Sequence, residues 1–299
     1  MTGYAITIAG GKGGVGKTTT AINVGVSLQE TGYDIAVVDA DLGMANLGAM
    51  LDVEHEPSLH RVLAGETSVS DALVDGPAGI TLVPGQRELE AFAEADPGQL
   101  RKVVNALSTA YDLVVIDTGA GLSHETTVPL GLADAVVMVT TENEIAVGDT
   151  VKTAELADRV DGEVIGAVLT KATEDTEISE VSDRLGMEML AVVPEDPDAT
   201  ETEPLVITAP DSPAADAYRG LAQTLAGRYH ADLGDEAVTP DPGTASVAGA
   251  GSGSDADAAG AQADDDTVPG EEAIEESSEQ EDEGESEDDE DDGVFGLFN

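Results

Sequence analysis

The chain has 299 residues and a formal net charge of −50 at pH 7, from 62 acidic and 12 basic residues. Because it has no cysteine, disulfides, thiolate metal ligands and iron–sulfur clusters are excluded.

Residues 231–299 hold 24 of the acidic residues and no basic one, which leaves 38 acidic against 12 basic residues in residues 1–230. An acidic, lysine-poor surface stays soluble in concentrated salt, so we expect a halophilic source rather than an ordinary acidic protein with an acidic tail. We find no signal-peptide pattern and no apolar run near the ~18 residues of a membrane span, and we expect a cytoplasmic protein.

A glycine-rich stretch near the N-terminus carries the strongest chemical signal. It lies between an apolar run that predicts a buried strand, Tyr4–Ala9, and a segment with one apolar helical face, Ala21–Leu28. Gly11–Thr18 fits the complete phosphate-loop pattern G-x-x-x-x-G-K-[ST]. The glycines allow backbone N–H groups to face phosphate oxygens at a helix N-terminus. Lys17 would neutralise the β- and γ-phosphates, and the Thr18 hydroxyl would ligate Mg²⁺.

The loop contains a second lysine, Lys12, although a phosphate loop needs only Lys17. Lys12–Thr18 resembles the deviant Walker A motif of the MinD/ParA family of ATPases, and the resemblance covers about residues 1–230. In that family the extra lysine reaches the phosphates of a nucleotide bound by a partner subunit, so the resemblance implies an ATP-dependent homodimer. A solvated loop lysine is the alternative. The resemblance also implies ATP and Mg²⁺ as cofactors, with nucleotide contacts from Gly11, Lys12, Gly13, Gly14, Val15, Gly16, Lys17, Thr18 and Thr19.

The second predicted strand, Ile35–Asp39, leads into a pair of carboxylates, Asp39 and Asp41. Side chains at the carboxyl end of a parallel strand lie at the edge where α/β proteins bind ligands. The resemblance identifies this segment as switch I, in which Asp41 positions or deprotonates the attacking water. A helix cap or a turn is the alternative role for both carboxylates.

A third segment runs through the apolar residues Leu113–Ile116 into Asp117. This is the Walker B form, in which a buried strand delivers a carboxylate to Mg²⁺, usually through water. Gly119 and Gly121 follow and allow a mobile loop, which the resemblance identifies as switch II. No metal-ligand spacing is found among the histidines, and a surface or capping position is predicted for His55, His60, His124 and His230.

The rest of the chain to residue 230 alternates between strand and helix patterns. Apolar runs predict a short strand and turn at Ile80–Gly85 and strands at Ala135–Thr140, Val164–Thr170 and Met189–Val193. Apolar positions at steps of three and four predict helices at Ser58–Leu63, Pro97–Tyr111, Glu144–Val160, Ile178–Leu185 and Ala214–Tyr229. The crossovers are long enough for parallel connections. The fold class is therefore α/β, a mostly parallel sheet flanked by helices as in a P-loop NTPase, with residues 1–230 as the ATPase domain.

Two segments are expected beside the nucleotide base. Thr170 and Lys171 stand where family members often carry an asparagine next to the adenine, and threonine replaces that asparagine here. The segment with Pro194 and Glu195 resembles the MinD-type loop that closes over the base, largely through backbone groups. The resemblance therefore implies that these four residues contribute to nucleotide binding.

The C-terminal region changes composition. Residues 231–292 are rich in Ser, Ala, Gly and acidic residues, and we expect a disordered acidic linker because they cannot bury enough apolar surface to fold. Residues 293–299 hold two of the three phenylalanines and form a short apolar motif. MinD proteins end in an amphipathic membrane-binding helix, but this segment is short and lacks a basic face. We expect it to attach the protein to an unidentified protein partner or to a membrane surface, at the membrane or the cell pole.

The sequence as a whole predicts a Mg²⁺-dependent ATPase that dimerises with ATP and positions cellular machinery, such as a division site or a polar complex. Lys12, Lys17 and Asp41 are its predicted catalytic residues, and Thr18 and Asp117 its predicted metal-binding residues. One alternative is a non-hydrolysing scaffold that recruits partners through its tail. The other, a DNA-partition ATPase, is disfavoured because DNA binding requires clustered basic residues.

Overall fold

The computed structural model describes residues 3–53, 55–196 and 202–232. The strands are β1 (Tyr4–Ala9), β2 (Ile35–Ala40), β3 (Val74–Asp75), β4 (Thr81–Val83), β5 (Leu113–Thr118), β6 (Ala135–Thr140), β7 (Val164–Ala172) and β8 (Met189–Pro194). The α-helices are α1 (Lys17–Glu30), α2 (Leu47–Met50), α3 (Leu59–Leu63), α4 (Leu89–Glu94), α5 (Leu100–Ala110), α6 (His124–Leu130), α7 (Glu144–Arg159), α8 (Ile178–Leu185), α9 (Leu205–Thr208) and α10 (Pro213–Asp232).

The strands form one sheet in the order β3-β4-β2-β5-β1-β6-β7-β8. Every neighbouring pair is parallel except β3 and β4, which are antiparallel at the edge. All residues of β1, β2, β5 and β6 are buried. Helices cover both faces of such a sheet, which explains why these strands are continuous apolar runs rather than alternating ones. The predicted α/β fold class is confirmed.

Helices pack on the two faces of the sheet with alternate strand residues. On one face α1 and α10 pack against Val37 and Val115. On the other face α3 and α5 pack against Val38 and Ile116. Since successive strand side chains point to opposite faces, each strand contributes to both layers of the core. A third cluster joins α7 and α8 to Met138 on β6 and to neighbouring residues of β7.

The strand register brings the ends of the central strands to one edge. Asp117 on β5 is paired with Ile8 on β1 and with Asp39 on β2. The glycine loop after β1 and the carboxylates of β2 and β5 therefore meet at the carboxyl edge of the sheet, where ligands bind in open α/β folds.

Several elements depart from the sequence predictions. The segment Pro97–Tyr111 contains a 3₁₀ turn, Pro97–Gln99, followed by α5, and α10 continues to Asp232, two residues beyond the predicted domain boundary. The sequence patterns did not indicate β3, the helices α4 and α6, or the one-turn helices α2 and α9. The predicted motif 293–299 and nearly all of the predicted linker 231–292 lie outside the described residues. Among the described residues, no helix combines the length and apolar character that a membrane crossing requires.

Candidate functional site

The glycine loop joins β1 to α1 in a conformation that depends on its glycines. Gly14 and Gly16 have φ values of 76° and 92°, in the left-handed region that side chains disfavour. A Cβ added to Gly11 would lie 2.3 Å from the carbonyl oxygen of Asp149 in α7. Gly16 is the N-cap of α1, so the loop ends at the helix N-terminus, where backbone N–H groups favour an anion.

Two adjoining cavities open beside the loop. The larger, about 880 Å³, is lined by Gly13, Gly14 and Gly16 of the loop together with Lys17, Thr18, Asp41 and Gly119, and we call it the loop cleft. Gly11, Lys12 and Val15, which were also predicted to contact the nucleotide, line neither cavity. The smaller, about 520 Å³, is lined by residues of β7 and of the segments around β8 and α9, and we call it the side pocket. Gly16, Thr19, Met50 and Lys171 line both cavities. Their arrangement fits a ligand with an anionic part on the loop and a second part in the side pocket.

Lys17 is buried at the base of the loop cleft, with 6% of its surface exposed. Its Nζ donates a hydrogen bond of 3.4 Å to the Lys12 carbonyl oxygen. Burial lowers the pKa of Lys17, and the attraction of Asp117 and Asp41 opposes that effect. Lys17 makes no ion pair within 4 Å in the described parts of the chain, so an anion in the cleft would supply its missing counterion.

The second loop lysine, Lys12, is in a different environment. Its side chain is exposed and lines neither the loop cleft nor the side pocket. It forms no side-chain hydrogen bond or ion pair with any residue that the structure describes. Lys12 therefore contributes only its backbone carbonyl to the site of its own chain, through the bond to Lys17.

Asp117 lies at the end of β5 with no exposed surface. Neither carboxylate oxygen has a hydrogen-bond partner in the described residues. Burial raises its pKa well above the usual range and the charge of Asp39 adds to the rise, while the nearby Thr18 hydroxyl and the charge of Lys17 oppose it.

These residues fit a magnesium ion. Mg²⁺ takes oxygen ligands and is typically held by one or two protein groups together with waters and substrate phosphates. The Thr18 hydroxyl at the loop cleft and the orphaned oxygens of the neighbouring Asp117 supply such groups. No group of three or more His, Asp or Glu side chains in the described ranges could hold a metal without substrate.

The structure separates the roles of the two carboxylates at the carboxyl end of β2. Asp39 is fully buried, and its Oδ2 accepts hydrogen bonds of 3.0 Å from the N–H groups of Asn46 and Leu47, so it caps α2. Burial is the largest cause that raises the pKa of Asp39 to about 7. Asp41 is half-buried, accepts a 3.1 Å bond from the Met44 N–H through Oδ1, and lines the loop cleft. Asp39 therefore has the capping role, whereas Asp41 both stabilises a turn and faces the cleft.

Thr170, Lys171, Pro194 and Glu195 all line the side pocket. The Thr170 hydroxyl lies 2.6 Å from the Val15 carbonyl oxygen and 3.0 Å from that of Thr140, so its hydrogen is engaged by backbone. The Lys171 Nζ donates to the Gly14 carbonyl oxygen at 2.9 Å. These two residues therefore attach the end of β7 to the glycine loop, in addition to lining the pocket.

Sequence reasoning missed several cleft residues. Arg87 lines the loop cleft, and Glu203 and Tyr218 line the side pocket. The Glu203 carboxylate accepts hydrogen bonds from the Asn23 side chain at 2.7 Å and from the Leu205 N–H at 3.1 Å, and burial raises its pKa. Only the scarcity of basic residues could have drawn attention to Arg87. No local sequence pattern marks Glu203 or Tyr218.

The prediction that His60 is a surface or capping residue is wrong. His60 has no exposed surface. Its Nδ1 accepts the Gln86 N–H at 3.1 Å, so its Nε2–H donates to the Leu42 carbonyl oxygen at 2.9 Å. Burial lowers the pKa of His60, which favours the neutral ring that this pair of bonds requires.

A strand, glycine loop and helix at the carboxyl edge of a parallel sheet, with a buried lysine and a buried aspartate beside one cleft, define a P-loop nucleotide-binding protein. A family model described as an AAA domain matches residues 3–161. An uncharacterized ATP-binding protein of Methanocaldococcus jannaschii is 37% identical over 238 residues, which cover 77% of this chain and 90% of that relative.

Two solved structures are similar to this chain over most of their length. One is the cell division ATPase MinD of Pyrococcus furiosus, with a TM-score of 0.72 and 32% identity, covering 76% of this chain and 99% of that one. The other is the septum site-determining protein MinD of Pyrococcus horikoshii complexed with Mg-ADP, with a TM-score of 0.71, 32% identity, and coverage of 76% and 98%. The chain belongs to the MinD/ParA family of P-loop ATPases, which confirms the predicted resemblance.

Proposed function

We propose that the protein hydrolyses ATP, dimerises when ATP is bound, and acts as a switch that positions cellular machinery. The observation that carries the proposal is the pair of unmatched buried charges at the loop cleft. Within the described part of the chain, Lys17 has no carboxylate partner within 4 Å, and both oxygens of Asp117 lack hydrogen-bond partners. Burying an unpaired charge costs several kcal/mol, so such groups are retained where a ligand supplies the missing partners. A polyphosphate and a divalent cation would do so here.

Different residues of the two cavities would bind different parts of the nucleotide and its metal ion. Lys17 and the N-terminal N–H groups of α1 would hold the phosphates, while Thr18 and Asp117 would hold Mg²⁺, the latter through water. When bound, Mg²⁺ supplies charge neutralisation between the phosphates. The side pocket has the position and the volume to take the base, with Thr170, Lys171, Pro194 and Glu195 in its wall.

Hydrolysis needs a group that orients water and further positive charge at the phosphates. Asp41 faces the loop cleft and, in this proposal, orients the attacking water. Lys12 is exposed and lines no cavity of its own subunit, which suits a residue that completes the site of a second copy. The ATP-bound homodimer would therefore be the hydrolysing form.

The names of the two Pyrococcus proteins state cell division and septum site determination, and we extend such a positioning role to this chain. In such a switch the populations of the ATP and ADP states carry the signal, so slow turnover is sufficient. We propose that residues 293–299 attach the protein to an unidentified protein or to a membrane surface. DNA remains a poor candidate, because Arg219 and Arg228 on α10 are engaged by Glu30, Asp216 and Glu188.

The test is ATP turnover by the purified full chain in concentrated salt, compared with Lys17→Ala and with Lys102→Ala as a control. Lys102 is an exposed lysine on α5 that lines neither cavity. We expect Lys17→Ala to lose nucleotide binding and turnover, while Lys102→Ala keeps both. Equal activity in the wild type and Lys17→Ala would overturn the assignment, and nucleotide binding without turnover in the wild type would favour the scaffold alternative.

A further inference from the structure

Arg87 is a cation of the loop cleft that the family motifs do not include. Its side chain is exposed, and its Nε donates a hydrogen bond of 2.9 Å to the Ala45 carbonyl oxygen. Arg61, by contrast, pairs with the carboxylates of Glu66 and Glu94. Arg87 has no carboxylate partner among the described residues, although the chain is rich in acidic side chains. The two terminal nitrogens of its guanidinium are therefore available to a ligand.

Arg87 belongs to a short loop that is fixed against the segment carrying Asp41. We call residues 39–46 the Asp41 segment. The Nε2–H of the buried His60 donates to the Leu42 carbonyl oxygen of this segment, and Nδ1 of the same ring accepts the Gln86 N–H. One side chain thus joins the Asp41 segment to the residue that precedes Arg87.

A close backbone approach adds to this connection. A Cβ added to Gly85 would lie 2.6 Å from the Cβ of Ala45 and 3.4 Å from the Asp39 Oδ2. With the bond from Arg87 to Ala45, the loop contacts the Asp41 segment at three points: the Leu42 carbonyl through His60, the Ala45 methyl, and the Ala45 carbonyl. Such contacts limit movement of Arg87 relative to Asp41.

The position of Arg87 along the cleft indicates which part of a nucleotide it would meet. It lines the loop cleft together with Asp41, Gly119 and Thr126, and it does not line the side pocket. If the base occupies the side pocket and the phosphates follow the glycine loop, the end of the cleft with Asp41 receives the terminal phosphate. A planar guanidinium with several N–H donors matches phosphate oxygens at this end.

We propose that Arg87 binds the terminal phosphate of the nucleoside triphosphate and, through the Ala45 carbonyl, couples that phosphate to the Asp41 segment. This inference rests on the proposed function. With a triphosphate bound, the terminal nitrogens of the guanidinium would donate to the phosphate while Nε keeps its bond to the Ala45 carbonyl oxygen. A diphosphate would leave the terminal nitrogens without that partner. Arg87 therefore makes the protein distinguish ATP from ADP and places Asp41 when ATP is bound.

The test compares the affinities of the full chain for Mg-ADP and for a Mg-bound non-hydrolysable ATP analogue, by calorimetry in concentrated salt. The variants are Arg87→Ala, Arg87→Lys and the control Arg101→Ala, which removes an exposed arginine on α5 away from both cavities. We expect Arg87→Ala to bind the analogue about 10–100-fold more weakly, as for lost hydrogen bonds to a charged group, with ADP affinity unchanged. Arg87→Lys should recover part of the loss, since it keeps the charge without the planar fork.

The outcomes separate the inference from the proposed function. An Arg87→Ala protein with unchanged affinity for the analogue, or with an equal loss for ADP, would overturn the terminal-phosphate role. Because retained ADP binding reports a folded site, a general loss of structure cannot imitate the expected result. A wild-type protein that binds neither nucleotide would instead overturn the proposed function.

Discussion

At the scale of single residues, unsatisfied buried polar groups collect at the carboxyl edge of the sheet, next to the loop cleft. Among the described residues, six buried side-chain polar atoms lack a hydrogen-bond partner, and four of them belong to Asp39, Asn46 and Asp117. Native proteins keep few such atoms because each costs about 1–3 kcal/mol. Their position at this edge, with Asp117 near Lys17 and Asn46 in the wall of the loop cleft, indicates a site that is completed by its ligand.

Lys12→Ala should separate nucleotide binding from dimerisation. The Lys12 side chain forms no hydrogen bond or ion pair with the described residues of its own chain and lines neither cavity, and Ala keeps the backbone carbonyl that accepts from Lys17. We expect near-normal ATP affinity in calorimetry, but no ATP-dependent dimer and turnover lowered by at least about tenfold, on the scale of one lost transition-state contact. Lys102→Ala is the matched control. Wild-type turnover in Lys12→Ala would return this lysine to the role of a solvated loop residue.

The sequence predicted the residues that a continuous motif contains and missed those that distant segments bring together. Lys17, Thr18 and Asp117 stand in local patterns whose spacing is fixed by one loop or one strand. Arg87 and Glu203 reach the cavities only because the sheet and α9 bring them there. His60 was misassigned because a short helical pattern does not reveal how deeply a polar side chain is buried.

At the scale of elements, the parallel strands were the most predictable part of the fold. Burial on both faces makes each a continuous apolar run, and β1 and β6 begin and end at the predicted residues. The strand β3 has two residues and the helices α2 and α9 have four each, too few for any periodic pattern. Their position depends on tertiary contacts, such as the Asp39 carboxylate that caps α2.

The packing of the glycine loop on α7 gives a prediction for Gly11→Ala. The added Cβ would meet the Asp149 backbone, so loop and helix must separate, and we expect a loss of about 1–3 kcal/mol in the free energy of unfolding with weaker nucleotide binding. The matched control is Gly220→Ala, at an exposed position of α10 where a Cβ meets nothing within 4 Å. That change should stabilise the protein by about 0.5–1 kcal/mol. Denaturant unfolding of the two variants measures both effects, and equal shifts would contradict this packing argument.

At the scale of the whole molecule, the few basic residues are placed unevenly. Acidic residues are numerous and basic residues are few. Even so, Lys17, Arg87 and Lys171 line the loop cleft, and Lys12 stands in the glycine loop. Three of the 12 basic residues therefore line one cleft, and a fourth belongs to the loop that borders it. An acidic protein repels an anionic nucleotide at long range, and concentrated salt screens that repulsion while the local cations remain effective in the cleft.

Deletion of residues 293–299 should separate catalysis from localisation. The segment lies outside the described residues, and its role remains a prediction from its apolar composition. Two phenylalanines and two aliphatic side chains could contribute about 1.5–3 kcal/mol each on burial, before ordering costs. This suits reversible attachment that strengthens when a dimer presents two copies. We expect unchanged ATP turnover and a dispersed signal when a tagged truncation is imaged in its own cell, whereas normal localisation would rule out the attachment role.

The account as a whole is tested most directly by the molar mass of the purified full chain, measured by light scattering in molar salt without nucleotide, with Mg-ADP and with Mg-ATP. The same series is run on Asp41→Ala, which removes the group proposed to orient water but keeps Lys17, Thr18 and Asp117. We predict a monomer without nucleotide and with ADP, and a doubled mass with ATP that decays in the wild type and persists in Asp41→Ala. A mass that stays that of one chain with ATP in both proteins, while calorimetry shows ATP bound, would contradict the ATP-dependent dimer.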